Sequence, residues 1–83
     1  MKRLLYFKAA WCQPCKMQGP IIDELKEDKF NVKKVDVDDD KNEKIVTKYG
    51  VMSIPTLIVV EKGKEVKRFV GLQTKQVLTD ALR

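Results

Sequence analysis

The chain reads as an α/β fold with the element order β-α-β-α-β-β-α, a four-stranded mixed sheet carrying helices on both faces. Three observations predict it. Apolar or alternating runs bounded by turn residues fall at residues 4–7, 32–37, 56–60 and 65–70, which is the pattern of strands. Apolar residues at helical spacing come after three of these runs. The chain has 83 residues and is 43% hydrophobic, enough for one core and too little for two. No linker, repeat or low-complexity stretch interrupts it, so residues 1–83 are read as a single domain.

Each element has its own justification. Leu4-Leu5-Tyr6-Phe7 is continuously apolar, the mark of a strand buried on both faces. After Cys12, Met17, Ile21 and Leu25 recur every fourth residue with Ile22 beside them, which predicts a helix. Pro20 lies inside that pattern and predicts a kink and not a stop, because the apolar spacing continues beyond it. Lys34-Val35-Asp36-Val37 alternates charged with apolar and reads as a strand. Asp38-Asp39-Asp40 offers N-cap candidates for a second helix bearing Ile45, Val46 and Tyr49, and Gly50 is placed to end it.

Residues 56–60 are β-branched and apolar, hence a central strand; Glu61-Lys62-Gly63-Lys64 is a turn, and residues 65–70 a half-exposed partner strand. Thr74 is placed to cap a last helix with Val77, Leu78, Ala81 and Leu82 on one face. The first two strands are joined through a helix, so a right-handed crossover makes them parallel. The last two are joined by a tight turn and must be antiparallel.

Composition excludes several functions. The formal charge is +5, from 17 Lys and Arg against 12 Asp and Glu. The lysines are dispersed from Lys2 to Lys75 among acids, without an aromatic-rich basic stripe, so a solvated surface and no nucleic-acid partner is the reading. The apolar run near the N-terminus is too short for an export signal or a membrane span, which predicts a cytoplasmic protein without membrane contact. The acids from Asp36 to Asp40 lack the glycine and distant glutamate of a calcium loop and are better explained by capping and solvation.

The chemistry points to Trp11-Cys12-Gln13-Pro14-Cys15, between a buried strand and the first turn of a helix. A cysteine at a helix N-terminus faces unpaired N–H groups and the positive end of the macrodipole, which favour a thiolate. Cys15 comes one turn later, within reach of Cys12, and Pro14 sits where a missing N–H costs little. An exposed Cys12 thiolate would attack a disulfide, and Cys15 would then attack Cys12 and release the reduced target. Lys8 and Lys16 flank the pair and are read as solvated lysines that could add positive potential. Half of a zinc site is one alternative, although the chain holds two cysteines and no histidine. Two inert buried thiols are another. The strand–CxxC–helix context favours redox work.

With these residues in view, the chain resembles the thioredoxin family. Its Trp-Cys-Gly-Pro-Cys motif is matched at Trp11 to Cys15 with Gln13 in place of glycine. Pro20 resembles the kink proline of the active-site helix, and Ser53-Ile54-Pro55-Thr56 the segment that holds the family's cis-proline. Gly63 resembles a hairpin glycine, and Gly71 the glycine that lets substrate backbone approach. The resemblance implies a minimal thioredoxin fold and a protein-disulfide reductase. It implies no cofactor beyond the redox-active disulfide of Cys12 and Cys15. It implies a cis Ile54–Pro55 bond and a substrate groove formed by Trp11, Val37, Ile54, Pro55, Gly71 and Leu72. Disulfide-containing proteins would be the substrates and a thioredoxin-reductase-like enzyme the electron donor, with the chain acting as a monomer.

Three departures stand out. The chain opens on the strand that leads to the cysteines, without the N-terminal strand and helix of full-length members, as in glutaredoxins. The family's buried acid, six residues before the first cysteine, falls on Tyr6, while the matching lysine is retained as Lys34; without the acid, Lys34 is free to point to solvent and Cys15 has water as its base. Gln13 and Pro14, between the cysteines, tune thiolate stability. A glutathione-linked, glutaredoxin-like enzyme is an alternative, although only Gly71-Leu72-Gln73 stands where a Gly-Gly pair and an acid would bind glutathione. A non-catalytic binding platform is another.

Overall fold

The structure, a computed structural model, describes residues 1–83. The elements are β1 (Lys2–Lys8), α1 (Gln13–Glu27), β2 (Val32–Asp36), a 3-10 turn (Asp40–Asn42), α2 (Glu43–Tyr49), β3 (Thr56–Glu61), β4 (Lys64–Val70) and α3 (Lys75–Leu82). The sheet order is β2-β1-β3-β4, with β1 parallel to β2 and antiparallel to β3. The mixed sheet and the element order match the expectation.

The continuous apolar run of β1 is explained by its central place. Leu4 and Tyr6 face one core with Ile22 and Leu25 of α1 and Leu78 and Leu82 of α3. Leu5 and Phe7 face the other, with Val35, Ile58 and Val60, against Ile45, Val46 and Tyr49 of α2. Helices therefore cover both faces. Full burial of each such side chain contributes roughly 1.5–3 kcal/mol, so this strand is the main apolar anchor of both layers.

The turn between β3 and β4 carries positive φ at both central residues, 54° at Lys62 and 80° at Gly63, the conformation a two-residue hairpin demands. Gly50 ends α2 in the left-handed region at φ 59°, as its position implied. α1 runs unbroken through Pro20, as the continued spacing implied.

Three local expectations are corrected. Met17, which the fourfold spacing places in the buried stripe, is 61% exposed. The stripe instead runs Cys15, Gln18, Ile22, Leu25, with a glutamine filling the place of an apolar residue. Val77 likewise lies mostly outside the core, which α3 meets through Leu78 and Leu82. The aspartate run does not cap α2: Asp39 caps the 3-10 turn by accepting the Lys41 N–H at 3.0 Å, and Asn42 precedes α2 without a side-chain cap.

Candidate active site

The register of the sheet assembles one end of the molecule. Lys8 of β1 pairs with Asp36 of β2, and Phe7 with Thr56, the first residue of β3. Thr56 pairs in turn with Val70, the last residue of β4. Four short segments therefore converge: Ala9 to Cys12 after β1, Val37 and Asp38 after β2, Ile54 and Pro55 before β3, and Gly71 and Leu72 after β4. The outer ends of parallel strands are where open α/β sheets place their sites.

Cys12 is the N-cap of α1, with extended backbone (φ −87°, ψ 112°), and its Sγ accepts the Cys15 N–H at 3.2 Å. Pro14 lies in the first turn, where an N–H would have no partner. No acidic residue occupies that turn, so nothing on the helix opposes the macrodipole's attraction for a thiolate. Cys12 and Cys15 are joined as a disulfide with their Cα atoms 5.2 Å apart. Both pack in a small cluster with Ala9, against Val37 and Ile54. In this disulfide form Cys12 is only 4% exposed, because Cys15 and that cluster close over its sides.

The candidate groove residues come together in two sets. Trp11, Val37 and Ile54 line an apolar cavity of about 360 Å³ with Val46, Val51 and Met52. Trp11 is 69% exposed, and its indole N–H donates to Asp38 Oδ2 at 2.7 Å, which fixes the ring at the rim. The Ile54–Pro55 peptide bond is cis. The Pro55 carbonyl accepts the Gly71 N–H at 2.8 Å, holding the second set, Gly71 and Leu72, beside the proline. Gly71 has φ 96°, a conformation that suits glycine, and leaves open space where a side chain would stand. Gln13 is exposed at the first position of α1.

Gln18 is the residue that sequence patterning misses. Fully buried, it accepts the Gln73 N–H on Oε1 at 2.8 Å and donates from Nε2 to the Gln73 carbonyl at 3.1 Å. This paired contact ties the segment after Leu72 to the active-site helix. The only signal in sequence is its place three residues after Cys15 and four before Ile22.

On the other side of Cys15, the buried Tyr6 hydroxyl donates to the Cys15 carbonyl oxygen at 2.6 Å. Burial, then the charge of Asp23, pushes the Tyr6 phenol above its ordinary pKa, so it stays neutral. Lys34, beside Tyr6 in register, does not point free into solvent: its ammonium donates to Asp23 Oδ1 at 2.7 Å. That hydrogen bond, then the lysine's charge, lowers the Asp23 pKa. No group of three or more side chains is placed to hold a metal ion, and no helix is long and apolar enough to cross a membrane.

A vicinal cysteine pair capping a helix, beside a cis-proline at the end of a β2-β1-β3-β4 sheet, defines a thiol–disulfide oxidoreductase. The chain belongs to the thioredoxin family, whose model matches residues 1–83. It is 46% identical over 77 residues to a thioredoxin of Bacillus subtilis, covering 89% of this chain and 72% of that one. It is also 46% identical over 83 residues to a thioredoxin of Staphylococcus aureus, covering 96% of this chain and 78% of the relative. Among solved structures, a mutant thioredoxin from Halobacterium salinarum superposes with a TM-score of 0.88 at 38% identity, covering 98% of this chain and 71% of that chain. A malaria-parasite thioredoxin-2, described as a component of protein secretion machinery, gives a TM-score of 0.86 at 32% identity, covering 98% and 80%. The chain is thus a protein-disulfide reductase that works through its own redox-active disulfide, on disulfide-bearing proteins and with a reductase as electron donor.

Proposed function

We propose that Cys12 is the attacking sulfur and Cys15 the resolving one, in a general disulfide reductase that works as a cytoplasmic monomer of one domain, residues 1–83. The observation that carries this reading is the position of Cys12 at the N-cap of α1, with Cys15 one turn away. In the reduced protein the Cys12 thiolate attacks one sulfur of a substrate disulfide. A Cys12–substrate bond forms, and the other substrate sulfur leaves as a thiolate and takes a proton. Cys15 then loses its proton and attacks Cys12 Sγ; the mixed disulfide breaks and the second substrate sulfur leaves. Two electrons from a thioredoxin-reductase-like donor return the pair to dithiol.

The substrate would lie over Trp11, Val37, Ile54, Pro55, Gly71 and Leu72, pairing its main chain beside Pro55. Gln13 and Pro14 shape the first helical turn and Tyr6 and Lys34 the surroundings of Cys15, so these four tune the pair. The absence of a Gly-Gly-acid sequence after Val70 disfavours glutathione as the donor.

The test is Cys15→Ser with a disulfide-bonded protein substrate. A stable one-to-one mixed disulfide through Cys12, seen by mass spectrometry and released by dithiothreitol, is expected; Cys12→Ser should form none. A mixed disulfide formed by Cys12→Ser through Cys15, or equal turnover by both variants, would refute the assignment.

A further inference from the structure

A second cleft, of about 300 Å³, opens beside Cys15 and shares no lining residue with the apolar groove. Its wall holds Tyr6 and Lys8 of β1, Cys15 and Lys16 of α1, and Lys34 of β2. The volume accommodates on the order of ten waters. Three of these five residues are lysines.

The charges facing the cleft can be counted element by element. From β1 come Lys8 and the neutral phenol of Tyr6, whose hydroxyl is committed to the Cys15 carbonyl. From α1 come Lys16 and, at the margin, Asp23, which is bonded to Lys34 of β2. Asp36 lies beside Lys8 in register, but its carboxylate accepts the Asp38 N–H at 2.9 Å. Neither Lys8 nor Lys16 makes an ion pair. Two carboxylates, Asp23 and Asp36, thus stand at the margin against three ammonium groups, which leaves the cleft net positive, and neither carboxylate lines the wall beside Cys15.

Resting on the reading of Cys15 as the resolving sulfur, we propose that Lys8, Lys16 and Lys34 hold this cleft positive so that Cys15 ionises directly into cleft water. A positive cleft favours the thiolate over the thiol. The proton of Cys15 passes to water; the thiolate attacks Cys12 Sγ, the mixed disulfide breaks, and the leaving thiolate takes a proton from solvent. Tyr6 is a positioning residue that fixes the Cys15 backbone, and the lysines act through the potential they set.

The experiment is stopped-flow reaction of the reduced protein with dithiodipyridine, a neutral disulfide that releases one chromophore on attack by Cys12 and a second on attack by Cys15. The pH midpoint of the second phase should lie below about 8.5, the value of a free thiol. Lys8→Gln and Lys16→Gln should each raise that midpoint and slow the second phase about two- to three-fold below it, with a larger loss in the double variant. The first phase should shift less. In roughly 1 M salt the differences should largely vanish, since screening then acts within about 3 Å. Tyr6→Phe keeps the ring and removes the hydroxyl without changing any charge in the cleft, and should move the midpoint less than the double lysine variant does.

An unchanged midpoint in the double lysine variant would overturn the proposal, as would a midpoint that moves further with Tyr6→Phe than with the double lysine variant. Release of a single chromophore by the parent protein would instead remove the dithiol-exchange reading on which the proposal rests.

Discussion

Gln18 offers the sharpest test of how the active-site end is held together. It is a fully buried polar side chain in the helical stripe that otherwise packs the core, and both its polar atoms are committed to the backbone of Gln73. Gln18→Ala removes both bonds. At about 0.5–1.5 kcal/mol net per hydrogen bond, the loss is roughly 1–3 kcal/mol, with a further contribution from the void left behind. For a domain of this size a loss of about 2 kcal/mol lowers Tm by roughly 8–16 °C. Urea unfolding and calorimetry read this directly. Gln18→Glu separates hydrogen bonding from volume, because the carboxylate still accepts from the Gln73 N–H but can donate to its carbonyl only when protonated. Its destabilisation should therefore be greatest at neutral pH and shrink as pH falls through the carboxyl range, until the chain's other acids intervene. A Gln18→Ala loss within about 0.5 kcal/mol of zero, the range of ordinary surface changes, would refute the claim that this contact anchors the segment after Leu72.

Two further outcomes concern the backbone and Tyr6. Lys29 sits just beyond the end of α1 at φ 73°, where a side chain is disfavoured, so Lys29→Gly should raise stability by about 0.5–1 kcal/mol, read as a higher urea midpoint with an unchanged m-value. The Tyr6 phenol has a raised folded-state pKa from burial and the nearby Asp23, so the fold prefers the protonated phenol. That preference is fully present below the unfolded value near 10 and is lost as pH rises beyond it. Urea midpoints should therefore fall more steeply above about pH 10 in the parent protein than in Tyr6→Phe, and identical slopes would show that Tyr6 ionises as freely folded as unfolded.

What could be read from the sequence depends on where the stabilising partners lie. β1 was legible because a strand packed on both faces must be apolar at every position, and Leu4 to Phe7 are. The hairpin at Lys62-Gly63 was legible because turn chemistry is local. Cys12 at a helix N-cap was legible for the same reason, since strand, motif and helix are contiguous. Gln18 was not, because its burial is compensated by a segment 55 residues away that hydropathy does not encode. Met17 drew the helical stripe one residue off for the same cause: with Gln18 counted as polar, the nearest apolar residue took its place. Lys34 was placed in solvent because Asp23, on a different element, is not visible as its partner until α1 packs against β2. Asn42 and the aspartates show the limit of capping rules, since a 3-10 turn consumed the predicted cap.

The same distinction explains how the site is divided. The groove over Cys12 is assembled from four strand ends, so its geometry is set by sheet register: Thr56 pairs with both Phe7 and Val70, which draws Pro55 and Gly71 to the end of β1. The environment of Cys15 is set instead by side chains that β1, α1 and β2 turn toward one cleft. Substitutions there can change the charge around Cys15 without moving a strand. An acid in place of Tyr6 would bring a buried negative charge against three lysines and would give up the hydroxyl contact to the Cys15 carbonyl. With tyrosine, the carbonyl is satisfied by a neutral donor, and the balance of charge in the cleft remains positive. On the roles proposed for Cys12 and Cys15, capture of a substrate would be set by backbone register and resolution of its mixed disulfide by a few surface charges, two separate parts of this fold.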